Sequence, residues 1–195
     1  RMGNIELVNG KNAQEFTLGL VEANFVSDGT GQLNNGELFA LKYSRDVLVQ
    51  DYQNQLDVLL TTIVTNVNAA HREGYTLKQS PQNTPVMGGD IFEYIPQTDP
   101  PVSFSERVRV TQAITSDLEN IAASGRTYVD ENGVTRVVKG NNENALKIAN
   151  LRNVKYSFQG TSATVLNGGT FDEFLRAIVG EIGVQTQEAI RQSTN

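Results

Sequence analysis

The sequence predicts an α+β fold: an elongated helical rod built on two long helices, with β-hairpins and a small β-rich portion. Three observations carry this. Apolar residues recur at helical spacing from Leu38 to Val67 and again from Phe171 to Ile190, and the stretch between them breaks into short alternating runs punctuated by Gly, Asn and Pro. The 195 residues suffice for one domain or two small ones.

Taken in order, Ile5 and Leu7 alternate, as do Phe16, Leu18 and Leu20, around the turn Asn9-Gly10-Lys11-Asn12, which reads as a hairpin. Val26 to Asn35 is rich in Gly, Asn, Asp and Ser and reads as a loop, so residues 1–35 form a hairpin region and loop. From residue 36 to 74 the apolar positions Leu38, Leu41, Leu48, Tyr52, Leu56, Leu59, Ile63 and Val67 are three or four apart, except for a step over Arg45. That is one helix face held for about ten turns, with Asn35 as N-cap and Gly74 as the stop. A stripe so narrow and long must be buried against another element.

Residues 75–140 form the β-rich portion. Pro81, Pro85, Gly88 and Gly89 mark a loop before the strand around Ile91 to Ile95, and a second strand holds Val108 to Val110. Ser116-Asp117-Leu118-Glu119 fits a capping box that opens a short helix closed by Gly125, and Tyr128 to Val137 is a hairpin with Asn132-Gly133 at its tip. Residues 141–195 hold a short helix over Asn144 to Leu151 and a long one, capped by Thr170, whose Phe171, Phe174 and Ile178 pack back on the first. The packing residues of the helix pair are then Leu38, Leu41, Leu56, Leu59, Ile63, Phe171, Phe174 and Ile178.

The residue inventory excludes much chemistry. There is no Cys, so no disulfide framework, thiolate metal site or cysteine nucleophile. His71 is the one histidine, which removes two-histidine metal sites and a triad with a spare His; beside Gly74 it reads as a cation at a helix C-terminus. A net charge of -6 without a basic run gives no footprint for nucleic acid or for an anionic membrane. No apolar run reaches the roughly 20 residues that span a bilayer. Paired carboxylates remain a catalytic option, but Asp28 with Glu37 and Asp130 with Glu131 lie in turn-like sequence. Asn167-Gly168-Gly169-Thr170 is accounted for by Thr170 as a cap rather than by a phosphate. No cofactor and no metal are implied.

Four landmarks occur in an order that resembles a known family. They are Gly3 to Leu7 with Asn34 to Asp46, including Arg45 and Asp46; the helix end with Asn68, His71 and Gly74; Asp117 to Ser124 followed by Gly140 to Leu146, including Asn144, Ala145 and Leu146; and Thr170 to Phe174 with Val179 to Gly183, including Ile182 and Gly183. Together they resemble the hook-associated protein 1 family, the junction proteins between hook and filament of bacterial flagella. Gly140-Asn141 and Phe92-Glu93 depart from the family pattern.

The resemblance implies a non-catalytic structural subunit, extracellular on the flagellum after export by the flagellar type III pathway. Its implied partners are copies of itself in a ring, the hook protein, the filament-side junction protein and, through a C-terminal segment outside this chain, an export chaperone. The terminal coiled-coil segments of the family are expected to lie outside this chain, whose start at Arg1 suits an excised piece. Three other readings stay open: a secreted adhesion module binding a ligand at its hairpin tips, the filament-side junction protein, and an enzyme using two carboxylates.

Overall fold

Apolar residues at helical spacing wind the first long segment into helix, and its polar positions decide which sides are covered. The computed structural model describes residues 17–18, 21–22, 37–95, 102–158 and 165–193. The chain divides into two compact units, Arg1–Gln53 and Asn54–Asn195.

In the first unit, β1 (Thr17–Leu18) and β2 (Val21–Glu22) pair antiparallel, Leu18 opposite Val21. The expected turn at Asn9-Gly10 and the Asn35 cap lie outside the described residues. Helix α1 (Glu37–Tyr43) passes into a π-helical stretch, Ser44–Leu48, and then into α2 (Val49–Arg72), which continues into the second unit. The widened stretch coincides with the step over Arg45 in the apolar spacing. There Asp46 accepts from Arg45 at 2.5 Å and pairs with Lys42 at 3.4 Å. The Arg45 bond holds the Asp46 carboxyl below the usual carboxylate range.

Within the second unit α2 is buried on two sides. Gln55 and Leu59 share one side, while Val64, Asn68 and His71, at spacings of four and three, lie about half a turn round the helix. Polar residues are buried here because each has a partner across the fold. Two expectations for the packing stripe do not hold in this chain: Leu41 is 62% and Leu56 42% exposed. The reason is that Leu56 falls between the two covered sides; Ile63 is half-buried and Leu59 fully so.

After α2 come five strand and helix pieces in quick succession: β3 (Tyr75–Gln79), β4 (Pro85–Met87), β5 (Phe92–Tyr94), α3 (Phe104–Arg107) and β6 (Val108–Val110). The stretch expected to be a loop through Pro81 and Pro85 is a hairpin, β3 pairing with β4 over Tyr75↔Met87 and Gln79↔Pro85. Its turn is built by Ser80, whose hydroxyl accepts from Thr84 N–H at 3.1 Å, with Asn83 in the left-handed region at φ 64°. Strands β5 and β6 lie where the sequence predicts strands, and they pair with each other, Glu93 opposite Arg109. The start of α3 is capped from α2: Asp57 accepts from Phe104 N–H at 2.7 Å and Ser105 N–H at 3.0 Å.

Helix α4 (Gln112–Ser116) ends where the capping box was expected to begin one. Asp117, not Ser116, starts the following 3-10 turn Leu118–Asn120, accepting from Glu119 N–H at 2.9 Å, and Lys78 pairs with it at 2.5 Å. No helix runs to Gly125; Ser124 instead bridges Tyr75 in an antiparallel pair. Strands β7 (Thr127–Val129) and β8 (Thr135–Val137) form the expected hairpin, with Gly133 at φ 75°.

Helix α5 (Glu143–Asn150), a 3-10 turn Leu151–Asn153, β9 (Tyr156–Ser157), β10 (Gly168–Gly169) and α6 (Phe171–Ser193) complete the unit. Thr170 caps α6 as predicted, and Glu173 completes the box: Thr170 Oγ1 accepts from Glu173 N–H at 3.2 Å while Glu173 accepts from Thr170 N–H at 2.8 Å. The β9–β10 pair carries aromatic rings onto this helix, Phe158 over Phe174 at 4.2 Å and Tyr156 over Phe171 at 4.5 Å. Phe174 and Ile178 are buried and Phe171 is half-buried.

The β7–β8 tip contributes an acid-sensitive element. Asp130 accepts from Val134 N–H at 2.9 Å, from Asn132 N–H at 3.0 Å and from Arg136 at 2.9 Å, and these bonds, Val134 first, hold its carboxyl below the ordinary aspartate range. Arg136 also reaches Gln79 and Asn83, tying the β7–β8 hairpin to the β3–β4 hairpin. Because the folded-state value lies below the unfolded one, about 4, the stabilisation is present above that pH and lost as pH falls through the folded value. Melting midpoints of the wild type are therefore expected to fall as pH drops below about 4 more steeply than those of Asp130→Asn. Parallel curves would refute the assignment.

Candidate functional site

The last turns of α2 carry Asn68, His71 and, just beyond, Gly74, and the structure brings all three onto one polar knot with Asn144 of α5. Spacing of three places Asn68 and His71 on one face of the helix. Asn68 grips β5 by its edge: its Oδ1 accepts from Ile91 N–H and Phe92 N–H, both at 3.0 Å, and its Nδ2 donates to Phe92 O at 2.8 Å. All the hydrogen-bonding capacity of the amide except one donor is used in holding a strand end that has no side-chain signature of its own.

His71 is 0% exposed. Its Nε2 accepts from Ala122 N–H at 2.8 Å, so that nitrogen bears no proton, and Nδ1 then donates to Gly89 O at 2.6 Å. The neutral ring thus joins α2 to two segments 18 and 51 residues further along. The sequence-based expectation of a charged helix-end histidine is corrected here: tertiary backbone partners claim both nitrogens. With neither nitrogen available and no exposure, the ring offers no general base.

Gly74 follows the end of α2, as expected of the stop, but it is not among the glycines with positive φ. Its necessity is steric. A Cβ here would overlap the Asn144 side-chain amide and lie 2.7 Å from Ala122 O. The Asn144 amide occupies this space because its Nδ2 donates to Ala122 O at 2.7 Å, while Asn144 N–H donates to Ala123 O at 3.1 Å. Gly88 is confined in the same way, by His71 O and by the Ala122 methyl. The segment Ile121–Ser124 is thereby clamped from α2, β3 and α5. Ala122, Ser124 and Gly88 complete the knot; the sequence marks the first two only as part of the Asp117 to Ser124 landmark and Gly88 only as part of a loop, since small residues in a bend carry no pattern.

Ion pairs surround the knot on the surface: Arg72 with Asp90 at 2.7 Å, Arg126 with Glu143 at 2.8 Å, and Lys147 with Glu73. Exposed pairs of this kind are screened by solvent and contribute little to stability.

The remaining predicted positions lie elsewhere. Ala145 and Leu146 are exposed on α5; the Ala145 N–H donates to Ala123 O at 3.2 Å, beside the bond from Asn144, while Leu146 N–H donates to Asn142 O. Arg45 and Asp46 sit in the π-helical stretch of the first unit, and Leu38 lies on α1. Ile182 and Gly183 are on α6, and a Cβ at Gly183 would meet nothing. Helix α6 leaves apolar side chains in solvent: Leu175, Val179, Ile182 and Ile190 follow one another at spacings of four, three and eight, with Val179 61% exposed. They form a second stripe, about a third of a turn from the covered one through Phe174, Ile178, Glu181 and Gln185.

Among the described residues no three His, Asp or Glu side chains gather where a metal ion could sit, and no helix is long and apolar enough to cross a membrane. A cleft of about 430 Å³ is lined by Thr76, Asp90, Glu93, Thr111 and Asn120 among others. Its carboxylates are paired, Asp90 with Arg72 and Glu93 with Arg109, and its threonine hydroxyls donate to backbone carbonyls.

Residues 2–92 match the family described as the flagellar hook-associated protein FlgK helical domain. Over 144 residues the chain is 28% identical to flagellar hook-associated protein 1 of Bacillus subtilis (strain 168), a match that covers 73% of this chain and 24% of that relative. The chain therefore spans about a quarter of the length of the curated relative it matches. No solved structure matches. With α2 and the Asn68, His71 and Gly74 members of the knot inside the matched segment, the chain is similar over residues 2–92 to the helical domain of the flagellar hook-associated protein FlgK.

Proposed function

We propose that this chain is a structural subunit of the bacterial flagellum at the junction of hook and filament, working without catalysis as an adapter that packs laterally against copies of itself. The observation that carries the reading is the second apolar stripe of α6, Leu175, Val179, Ile182 and Ile190, exposed beside a covered one in a chain whose relative is named for the hook. A helix with one covered and one uncovered apolar stripe is suited to a bundle that is completed by packing against further helices. Symmetry then sums many small contacts into a stable ring. In this reading α2 and α6 are the rod-like framework, the hook protein and the filament-side junction protein are the axial neighbours, and the subunit stands outside the cell.

The polar knot serves this role by fixing the β-hairpins to the end of α2, so that load entering the helix reaches the hairpins through hydrogen bonds rather than through a loose loop. Immunogold labelling of intact flagella from the source organism, with antibodies raised against this chain, tests the reading. The expected result is a narrow band between hook and filament. Label along the whole filament, over the cell body, or absent from flagella would refute it.

A further inference from the structure

Gln55 of α2 is 4% exposed, and it is not there for apolar packing. Its Nε2 donates to Glu181 Oε2 on α6 at 3.3 Å, and Gln185, one turn further along α6, donates to Glu181 Oε1 at 3.3 Å. One carboxylate is thus bracketed by two amides, one from each helix. The Oε1 atoms of Gln55 and Gln185 are buried with no hydrogen-bond partner. Unmet buried acceptors and a half-buried carboxylate lower stability relative to an aliphatic layer of the same volume.

The apolar residues around this layer do not define one alignment of the two helices. On the side of α2 that carries Gln55, Leu59 is buried one turn along, and on the side of α6 that carries Glu181, Phe174 and Ile178 are buried one turn apart. Sliding one helix by a turn, about 5.4 Å, again sets apolar residues at the level of apolar residues. Other polar side chains on α2 are indifferent to such a slide because they bond their own helix: Thr62 donates to Val58 O at 2.8 Å and Asn66 to Thr62 O at 2.7 Å. The bond from Gln55 to Glu181 is different, since a slide breaks it and sets the carboxylate among aliphatic neighbours.

We propose that Gln55, Glu181 and Gln185 form a register pin, a polar layer that restricts α2 and α6 to one axial alignment at the expense of stability, as a lone buried polar residue does in a coiled coil. The inference is independent of where the subunit works. A protein can lose its place at the flagellar junction and keep the pin.

The chain has no native cysteine, so nitroxide labels attached at Thr61→Cys and Gln187→Cys, both exposed, report the axial offset of α2 and α6 by pulsed spin resonance. With the native layer one narrow distance is expected. In the triple variant Gln55→Leu, Glu181→Leu, Gln185→Leu the melting midpoint should be equal or higher, and a second distance population should appear, displaced by about one turn. A single unchanged distance in that variant, a lower midpoint or loss of cooperative folding would each overturn the proposal. Glu181→Gln, which keeps acceptor and donor at the same place without the charge, is expected to retain the single distance; a split population there would also overturn it.

Discussion

Replacing His71 by alanine is expected to destabilise the fold by about 3 to 5 kcal/mol, the largest loss of any single side chain in the knot. Two effects add. The imidazole is fully buried, so its removal leaves a cavity between α2 and the segment Ile121–Ser124. It also releases two backbone groups, Ala122 N–H and Gly89 O, that the ring had satisfied at 2.8 and 2.6 Å. Ala122 is fully buried, and a buried group left without a partner costs about 1 to 3 kcal/mol, whereas Gly89 is exposed and its carbonyl turns to water. His71→Gln keeps one donor and one acceptor and is expected to recover part of the loss. Urea unfolding followed by circular dichroism measures both variants. A midpoint for His71→Ala within error of the wild type would show that the ring is not the tether described.

Gly74→Ala is expected to cost about 3 kcal/mol through overpacking rather than through backbone strain. The added methyl would overlap the Asn144 amide, and it would stand 2.7 Å from Ala122 O, a backbone atom that cannot swing aside. A double-mutant cycle separates the two obstacles. Asn144→Ala removes the amide, and with it the 2.7 Å bond to Ala122 O, so on its own it destabilises. Added to Gly74→Ala it should destabilise by clearly less than the sum of the two single changes, because the collision is gone; the coupling is expected at about 1 to 2 kcal/mol. Strict additivity would place the strain elsewhere.

The helical parts were legible because helix formation leaves a periodic trace. Spacings of three and four in Leu56, Leu59 and Ile63, and the Thr170 cap before Phe171, suffice to locate the helices that the structure shows as Val49–Arg72 and Phe171–Ser193. The tips of the Asn132-Gly133 hairpin were equally readable, since a left-handed turn selects for Gly. Local pattern misled where two neighbouring residues could each play the same part. Ser116 and Asp117 are both competent caps, and a tertiary contact, Lys78 to Asp117, accompanies the choice of the second. The Ser80 to Thr84 turn was missed because Pro81 and Pro85 read as breakers, although the first lies in the turn and the second starts an edge strand where no ladder N–H is required.

The members of the knot could be named from the sequence, but not their task. His71 stands out as the one histidine and Gly74 as the helix stop, while Asn68 and Asn144 are marked by the family resemblance; their partners are Phe92 O, Gly89 O, Ala122 N and Ala122 O. A backbone group is the same in every residue, so a bond to it leaves no mark at the partner position. The same reasoning covers Leu56: periodicity shows which side of a helix is apolar, but only the arrival of α6 on one side and of the hairpins on the other decides what is buried. By itself, then, the sequence determined the helices, the turn at Asn132-Gly133 and the absence of thiol chemistry, all properties of local conformation or composition. The tertiary structure alone decided that a glutamine, an asparagine and a histidine are buried on α2, because burial of a polar group is tolerable only where a partner distant in sequence meets it.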